Sequence, residues 1–277
     1  MKIDEMTNLF LKMLSDAKIE DSRNKYFILT KKILNYSKEY ILIHGNEDVE
    51  LEEFKKLEMY INKLIEGIPV QYLTNEQEFY GNKFYVDDNV LIPQPDTEIL
   101  VEEAISIIKN GDKVLDLCTG SGAIGISLKK KFADRIDVIG TDISKEALRV
   151  ARMNADANRV SVEFVESNMF DKIVENDFDL IVSNPPYIET NVIKTLSKEV
   201  QNEPHIALDG GSDGLDFYRI IAKEGKDYLK SGGYLIIEIG FNQRDEVINL
   251  LKENDYLDIY SKKDYSGNDR IVVGRRG

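Results

Sequence analysis

Histidine and cysteine are nearly missing from this chain, with two of the former and one of the latter among 277 residues. A lone cysteine excludes an internal disulfide and suits a reducing compartment. Neither His44 nor His205 has neighbours at metal-ligand spacing, so no metal site is expected, and a Ser-His-Asp hydrolase is disfavoured. Positive charge is also scarce: 36 Lys and Arg stand against 50 Asp and Glu, a net charge of −14. Residues 1–75 hold 11 basic and 13 acidic side chains, which leaves a net −12 on the remainder. A protein that grips duplex DNA shows the opposite sign, and no Lys/Arg block is long enough for a nucleic-acid arm, so no direct nucleic-acid binding is expected. Long apolar runs are absent too. No stretch approaches a membrane span and the N-terminus has no signal-peptide core, so the sequence predicts a cytoplasmic chain with no membrane partner.

What is present changes character once along the chain. From Asp4 to about Leu73 apolar residues recur at helical spacing, as in Leu9, Phe10, Met13, Leu14 and in Leu51, Phe54, Leu57, Ile61, Leu64. Breaks near Asp21-Ser22, Ser37 and Gly45-Asn46, with Gly67-Ile68-Pro69 as the stop, divide this stretch into four or five helices. It reads as a small helical bundle over residues 1–75. Residues 78–86 then alternate around Gly81-Asn82 and read as a β-hairpin, the core of a linker over 76–94. Pro95 suits a first helical position, and the helix it opens should reach Lys109 before Gly111 stops it. From Lys113 onward strands and helices alternate, which predicts a parallel, doubly wound α/β sheet over 95–277. Its strands fall near 113–118, 136–141, 161–165, 178–183 and 233–239, with two more near 256–261 and 270–274.

The chemistry concentrates after two of those strands. The run Phe178–Ser183 ends in Asn184-Pro185-Pro186-Tyr187. Two prolines have no N–H to donate and fixed φ angles, so the turn is stiff and the ladder stops there. It offers an amide side chain and backbone carbonyls at the carboxyl edge of the sheet, where open α/β sheets bind ligands. A planar NH2 group could donate both hydrogens to such acceptors and rest against Tyr187. Upstream, the strand Lys113–Leu117 runs into a turn in which Gly120, Gly122 and Gly125 satisfy G-x-G-x-x-G, and Asp142 ends the next strand. Any nucleoside-carrying cofactor can use that turn, with the acid accepting from ribose hydroxyls. Asp116 admits two readings. Its charge suits a cationic cofactor such as S-adenosylmethionine better than a pyrophosphate, or it is a buried strand-end acid that caps the loop amides. Cys118 reads as a small packing residue rather than a nucleophile.

With both motifs placed, the chain resembles class I S-adenosylmethionine-dependent methyltransferases. Pro93-Gln94-Pro95-Asp96-Thr97-Glu98 is similar to the Pro-Arg-Pro-Asp/Glu-Thr-Glu segment of the release-factor glutamine methyltransferases, the PrmC/HemK family. Glu203-Pro204, Ala207-Leu208-Asp209-Gly210-Gly211 and Asp213-Gly214-Leu215 match that family's segment after the Asn-Pro-Pro-Tyr turn, and Phe79-Tyr80-Gly81 and Asp264, Gly267 and Arg270 also fit. The matches run from about Pro69 to the C-terminus. Three positions depart: Gln94 replaces an Arg, Cys118 a Gly, and Asn168 the acid usual after the third strand.

The resemblance implies a Rossmann-like methyltransferase sheet whose last strand is antiparallel, with residues 1–75 docking the substrate. It implies S-adenosyl-L-methionine as cofactor, released as S-adenosyl-L-homocysteine, held by Cys118, Thr119, Gly120, Ser121 and Gly122, by Asp142 on the ribose, and by Asn168 and Met169 around the adenine. Asn184, Pro185, Pro186 and Tyr187 would form the catalytic turn, Asn184 also approaching the cofactor. The reaction implied is N5-methylation of the glutamine in the Gly-Gly-Gln motif of bacterial peptide chain release factors. Alternatives are a glutamine methyltransferase acting on a ribosomal protein and an adenine-N6 or guanine-N2 nucleic-acid methyltransferase, against which the charge counts. A nicotinamide-dependent oxidoreductase would leave the Asn184–Tyr187 turn unexplained, and a non-catalytic cofactor-sensing module is the remaining reading.

Overall fold

The computed structural model describes all 277 residues, which divide into two compact units. The first comprises Met1–Asn75 together with Ser197–Asn202. Its helices are α1 (Ile3–Asp16), α2 (Ser22–Leu34), α3 (Lys38–Ile43), α4 (Leu51–Glu66) and α5 (Val70–Thr74). Ile3, Met6, Phe10 and Leu14 form the buried stripe of α1, at the i, i+3, i+7 spacing of one helical face. Leu9 and Leu51, which the sequence groups with the core, are exposed, while Leu57, Ile61 and Leu64 of α4 are buried. Phe10 stacks on Phe54, and the Tyr26 hydroxyl shares a hydrogen bond with Thr7 inside this core.

Residues 197–202 come from far downstream and carry the short helix α10 (Lys198–Gln201). Asn202 donates its Nδ2 to the Gly67 carbonyl at the end of α4, and Lys25 of α2 pairs with Glu199. Gly67 sits at φ 100°, and a Cβ there would come within 2.5 Å of Lys198 Cβ. The residue that stops α4 is thus also the one that admits α10.

The second unit opens on a hairpin, β1 (Gln77–Phe79) and β2 (Asn82–Phe84). Its turn residues are Tyr80 (φ 49°) and Gly81 (φ 68°), one position earlier than the Gly81-Asn82 pair the sequence favours. Both are left-handed, as a two-residue hairpin turn with the twist of its strands requires. Tyr80 is held there because its amide donates to Glu98 Oε1 at 2.8 Å. A 3-10 turn at Pro95–Thr97 leads into α6 (Glu98–Ile107), which ends two residues before Lys109.

The sheet contains β3 (Lys113–Leu117), β4 (Asp137–Asp142), β5 (Glu163–Glu166), β6 (Phe178–Ser183), β7 (Leu229–Glu238), β8 (Tyr256–Lys263) and β9 (Asp269–Arg276). Between them run α7 (Ala123–Phe132), α8 (Lys145–Asn158), the one-turn helices α9 (Thr190–Ile193) and α11 (His205–Leu208), α12 (Asp216–Tyr228) and α13 (Arg244–Glu253). Strand order is β5-β4-β3-β6-β7-β9-β8, parallel through β7, with β9 antiparallel to both its neighbours. Apolar clusters cover both faces, which is why β3 and β6 read as mostly apolar rather than alternating. The chain winds outward from β3 to β5 and then restarts at β6 on the other side. That reversal opens a crevice beyond the carboxyl ends of β3 and β6.

Candidate active site

Leu117 and Ser183, the last residues of β3 and β6, are register partners, and Ser183 Oγ donates to the Leu117 carbonyl at 2.8 Å. The glycine loop after β3 and the proline turn after β6 therefore emerge side by side. One cavity lies over both. It is lined by Cys118, Thr119, Gly120, Ser121, Asp142, Asn168, Met169, Asn184 and Pro186, with Thr97, Ile143 and Ile206 among its other walls. Of the residues expected to bind the cofactor or form the catalytic turn, Gly122, Pro185 and Tyr187 do not line it.

Asp116 is turned away from this space. Its Oδ2 accepts from Thr119 Oγ1 at 2.5 Å and from the Gly125 amide at 2.9 Å, so it caps the loop, as the second of its two readings has it. Oδ1 has no partner, and burial pushes the carboxyl up to about 7 against the help of those two donors. Gly122 begins α7 at φ 82°, where a Cβ would lie 2.7 Å from Ile126 Cδ1. Gly120, at φ 54°, has nothing within 4 Å of its Cβ position, so its backbone is open to an incoming ligand. Cys118 also adopts a left-handed conformation, φ 61°. Glycine takes that geometry freely and a side chain does not, which accounts for the family's Gly at this position. Its thiol rests 3.9 Å from the Met169 sulfur, and burial drives its pKa far upward, so it is no nucleophile.

Asp142 faces the cavity while its two oxygens accept backbone amides, Oδ2 from Gly120 and Oδ1 from Ser144, each at 2.9 Å. Burial raises its pKa and these amides oppose the rise. A carboxylate beside an open glycine backbone, with Met169, Ile143 and Ile124 supplying apolar wall, is the donor set a ribose and an adenine ring require. These residues fit a nucleoside-bearing cofactor.

On the other side, Asn184 donates Nδ2 to Thr97 Oγ1 at 3.2 Å. Thr97 is buried and belongs to the Pro93–Glu98 segment. Tyr187 points its hydroxyl inward to Glu238 Oε1 at 3.4 Å. Glu238 ends β7, is 2% exposed, and burial lifts its carboxyl to about 7, while Thr97, the Arg270 guanidinium and Tyr187 draw it down. Arg270 is paired in turn with Asp96 at 3.1 Å and Asp264 at 3.0 Å. The scattered matches at 96, 97, 264 and 270 thus converge behind one turn.

The segment after α11 clamps that turn from outside. The Ile188 amide donates to the Leu208 carbonyl and the Gly210 amide to the Ile188 carbonyl. A Cβ on Gly210 would lie 2.7 Å from Tyr187 Cα, and one on Gly214 would lie 2.4 Å from the Tyr187 carbonyl oxygen. Gln243 donates to the Tyr187 and Gly214 carbonyls and accepts from the Gly240 amide and the Tyr218 hydroxyl, so its amide is fully used. Glu203 accepts from the Ile92 amide at 2.8 Å and braces the cavity-lining strip around Val90 and Leu91. Sequence reasoning did not single out Glu238 or Gln243. The only signal Glu238 left is an acid directly following the apolar run Leu235–Ile237, and Gln243 left none.

The family model for the PrmC N-terminal domain matches residues 5–74, and the model for the methyltransferase small domain matches residues 94–211. Among curated proteins, the release factor glutamine methyltransferase of Clostridium acetobutylicum is 40% identical over 94% of this chain and 92% of its own length. The protein of the same name from Geobacter sulfurreducens is 36% identical over 95% and 93%, and that of Buchnera aphidicola subsp. Schizaphis graminum is 38% identical over 100% of both. Solved structures share the fold at low identity. A methyltransferase from Pyrococcus furiosus aligns with TM-score 0.56 and 20% identity over 72% of this chain and 91% of that one. The hMettl16 catalytic domain aligns with TM-score 0.60 and 14% identity over 75% and 80%.

Proposed function

Because the chain belongs to the release factor glutamine methyltransferase family, we propose that it methylates N5 of the glutamine in the Gly-Gly-Gln motif of bacterial peptide chain release factors, with S-adenosylmethionine as donor. The observation that carries this reading is the Leu117–Ser183 pairing, which brings the glycine loop, bonded to the Asp142 carboxylate, and a stiff amide-bearing turn to one cavity.

The cofactor, when bound, supplies an electrophilic methyl group on a sulfonium. Cys118 to Gly122 would hold it through the loop backbone, Asp142 through the ribose hydroxyls, and Asn168 and Met169 around the adenine. Asn168 replaces an acid there, and its amide oxygen can still accept from an adenine amino group. An amide nitrogen is a poor nucleophile because its lone pair is delocalised, so this chain's task is orientation and electrostatic stabilisation. Asn184 Oδ1 and the Pro185 carbonyl would accept the two N–H bonds of the substrate amide. As positive charge grows on that nitrogen the two hydrogen bonds strengthen, and no histidine or cysteine base is needed. The helical domain matched to the PrmC N-terminal domain is assigned to docking the release factor.

Labelled S-adenosylmethionine offered separately with release factor, ribosomal proteins and DNA tests the reading. Label should enter the release factor alone and disappear when its Gly-Gly-Gln glutamine is replaced. A short Gly-Gly-Gln peptide should react far more slowly than the intact factor. Asn184→Ala should cut single-turnover transfer about 10²–10³-fold with cofactor affinity little changed. Label on a ribosomal protein or DNA instead, or Asn184→Ala within about fivefold of the unaltered enzyme, would overturn it.

A further inference from the structure

Gln243 does not line the cavity, yet its side chain meets both the catalytic turn and the segment that clamps it. It stands at the N-cap of α13, where a side-chain oxygen ordinarily accepts from the helix's own amides, and it makes no such bond. Its amide is spent elsewhere. Nε2 donates to the Tyr187 carbonyl at 3.0 Å and to the Gly214 carbonyl at 3.3 Å. Oε1 accepts from the Gly240 amide at 2.9 Å and from the Tyr218 hydroxyl at 3.1 Å. Carbonyls only accept and a backbone N–H only donates, so the amide fits one way round. Two glycines leave the space for it: a Cβ on Gly214 would lie 2.7 Å from Nε2, and one on Gly240 2.6 Å from Oε1.

We propose that Gln243 is a positioning residue for methyl transfer, setting the pose of the Asn184–Tyr187 turn from outside the cavity. The turn enters from β6, where Ser183 is fixed by its register with Leu117. At its other end the Tyr187 carbonyl hangs on Nε2. Between the two ends lie two prolines whose φ angles cannot adjust, so a shift at Tyr187 is passed back to the Pro185 carbonyl and Asn184 rather than absorbed. The second Nε2 hydrogen holds Gly214, in the segment that presses on the turn through Gly210. Turn, clamp and the chain leaving β7 are thus locked together by one buried amide. The effect on turnover rests on the function proposed above; the hydrogen bond itself does not.

The bond is read directly in protein carrying 13C-carbonyl tyrosine and 15N-isoleucine. Three Tyr–Ile links answer, 40–41, 60–61 and 187–188, and the one missing from Tyr187→Phe is the turn. In Gln243→Met, which keeps length and removes the side-chain hydrogen bonds, that carbonyl should move upfield. In the same variant kcat for release factor should fall about 10- to 100-fold, the scale of a misplaced reacting group, with KM and cofactor affinity within about threefold. Gln243→Glu separates aim from packing, because shape is kept and only the donor changes. Protonated, it gives one hydrogen back; ionised, it turns a bare oxygen on two carbonyls. The Tyr218 hydroxyl that touches the amide is held far above its usual range by burial, and Glu238, bonded to Tyr187, titrates alike in both enzymes. Measured against the unaltered enzyme at each pH, the rate and the carbonyl position of Gln243→Glu should both recover from pH 9 to pH 6. If Gln243→Met does not fold, Gln243→Glu at pH 9 is read in its place. A carbonyl that does not move, a kcat within about threefold of the unaltered enzyme, or no recovery of Gln243→Glu at pH 6 overturns the proposal. Label absent even with the unaltered enzyme would instead count against the proposed function and leave the carbonyl resonance to decide this one.

Discussion

Asp142 holds two backbone amides in place as well as facing the cavity. Its oxygens tie Gly120 of the β3 loop to Ser144, the N-cap of α8. Removing the carboxylate therefore takes an acceptor from any ribose and also releases the loop that approaches it. Asp142→Ala should weaken S-adenosylmethionine by roughly 1.5–3 kcal/mol, the scale of a charged hydrogen bond, and should lower the melting temperature even without ligand. Calorimetry showing unchanged affinity would remove Asp142 from the site. At this scale the sequence leaves some residues undecided. Asp116 admits two roles because spacing says where a carboxylate lies on the chain and nothing about where it points. Burial and two loop donors turn it inward. Cys118 is the reverse case: its left-handed backbone makes the family's Gly intelligible only once φ is known.

Among the elements, the Asn184–Tyr187 turn is shaped as much by what presses on it as by its prolines. Gly210 is one of two tight points, since an added Cβ would meet Tyr187 Cα at 2.7 Å and the Pro186 carbonyl at 2.9 Å, and backbone cannot step aside as a side-chain tip can. Gly210→Ala should displace the turn and lower single-turnover methylation about 10²-fold, because a reacting group moved by about 1 Å loses its aim. Cofactor affinity, set mainly by the β3 and β4 loops, should hold within a few fold. Near-normal turnover would show the turn to be self-supporting. The strands were legible because buried parallel strands carry unbroken apolar stretches, as in Leu180–Val182 of β6. The polar start of β7, Leu229 to Gly232, was not, because it joins β6 across a register shift after Phe178. The hairpin turn slipped by one residue because a tyrosine does not advertise a left-handed φ. Nor could the Thr97–Asn184 and Tyr187–Glu238 contacts be read, since their members share no periodicity and meet only through the fold.

For the molecule as a whole, two fully buried carboxyls, Asp116 and Glu238, are raised from 3.8 and 4.5 to about 7. An acid whose folded pKa exceeds its unfolded value still holds a proton where the unfolded chain has lost it. Its contribution is thus greatest at low pH and drains away as pH climbs toward 7, at up to about 1.4 kcal/mol per group for each pH unit. Self-repulsion at a net −14 adds in the same direction. Carboxylates held low by partners, such as Asp209 and Asp87, are already ionised above pH 5 in either state and do not oppose the trend. The urea midpoint should therefore fall between pH 5 and pH 7, and Asp116→Asn should fall less steeply. Parallel slopes for the two proteins would mean that Asp116 is ionised throughout.

The short stretch Ser197–Asn202 carries an implication for how the protein is made. The helical unit leaves the ribosome ahead of the sheet, and residues 1–75 contain every helix of that unit but one. Gly67 waits for Asn202, and Lys25 waits for Glu199, across more than a hundred residues of intervening sequence. At about 5–20 residues per second, that is roughly 6–25 s of synthesis. The domain that begins first is therefore completed only after β3 to β6 have been synthesised, and a ribosome stalled anywhere in between carries a helical bundle with one place still open.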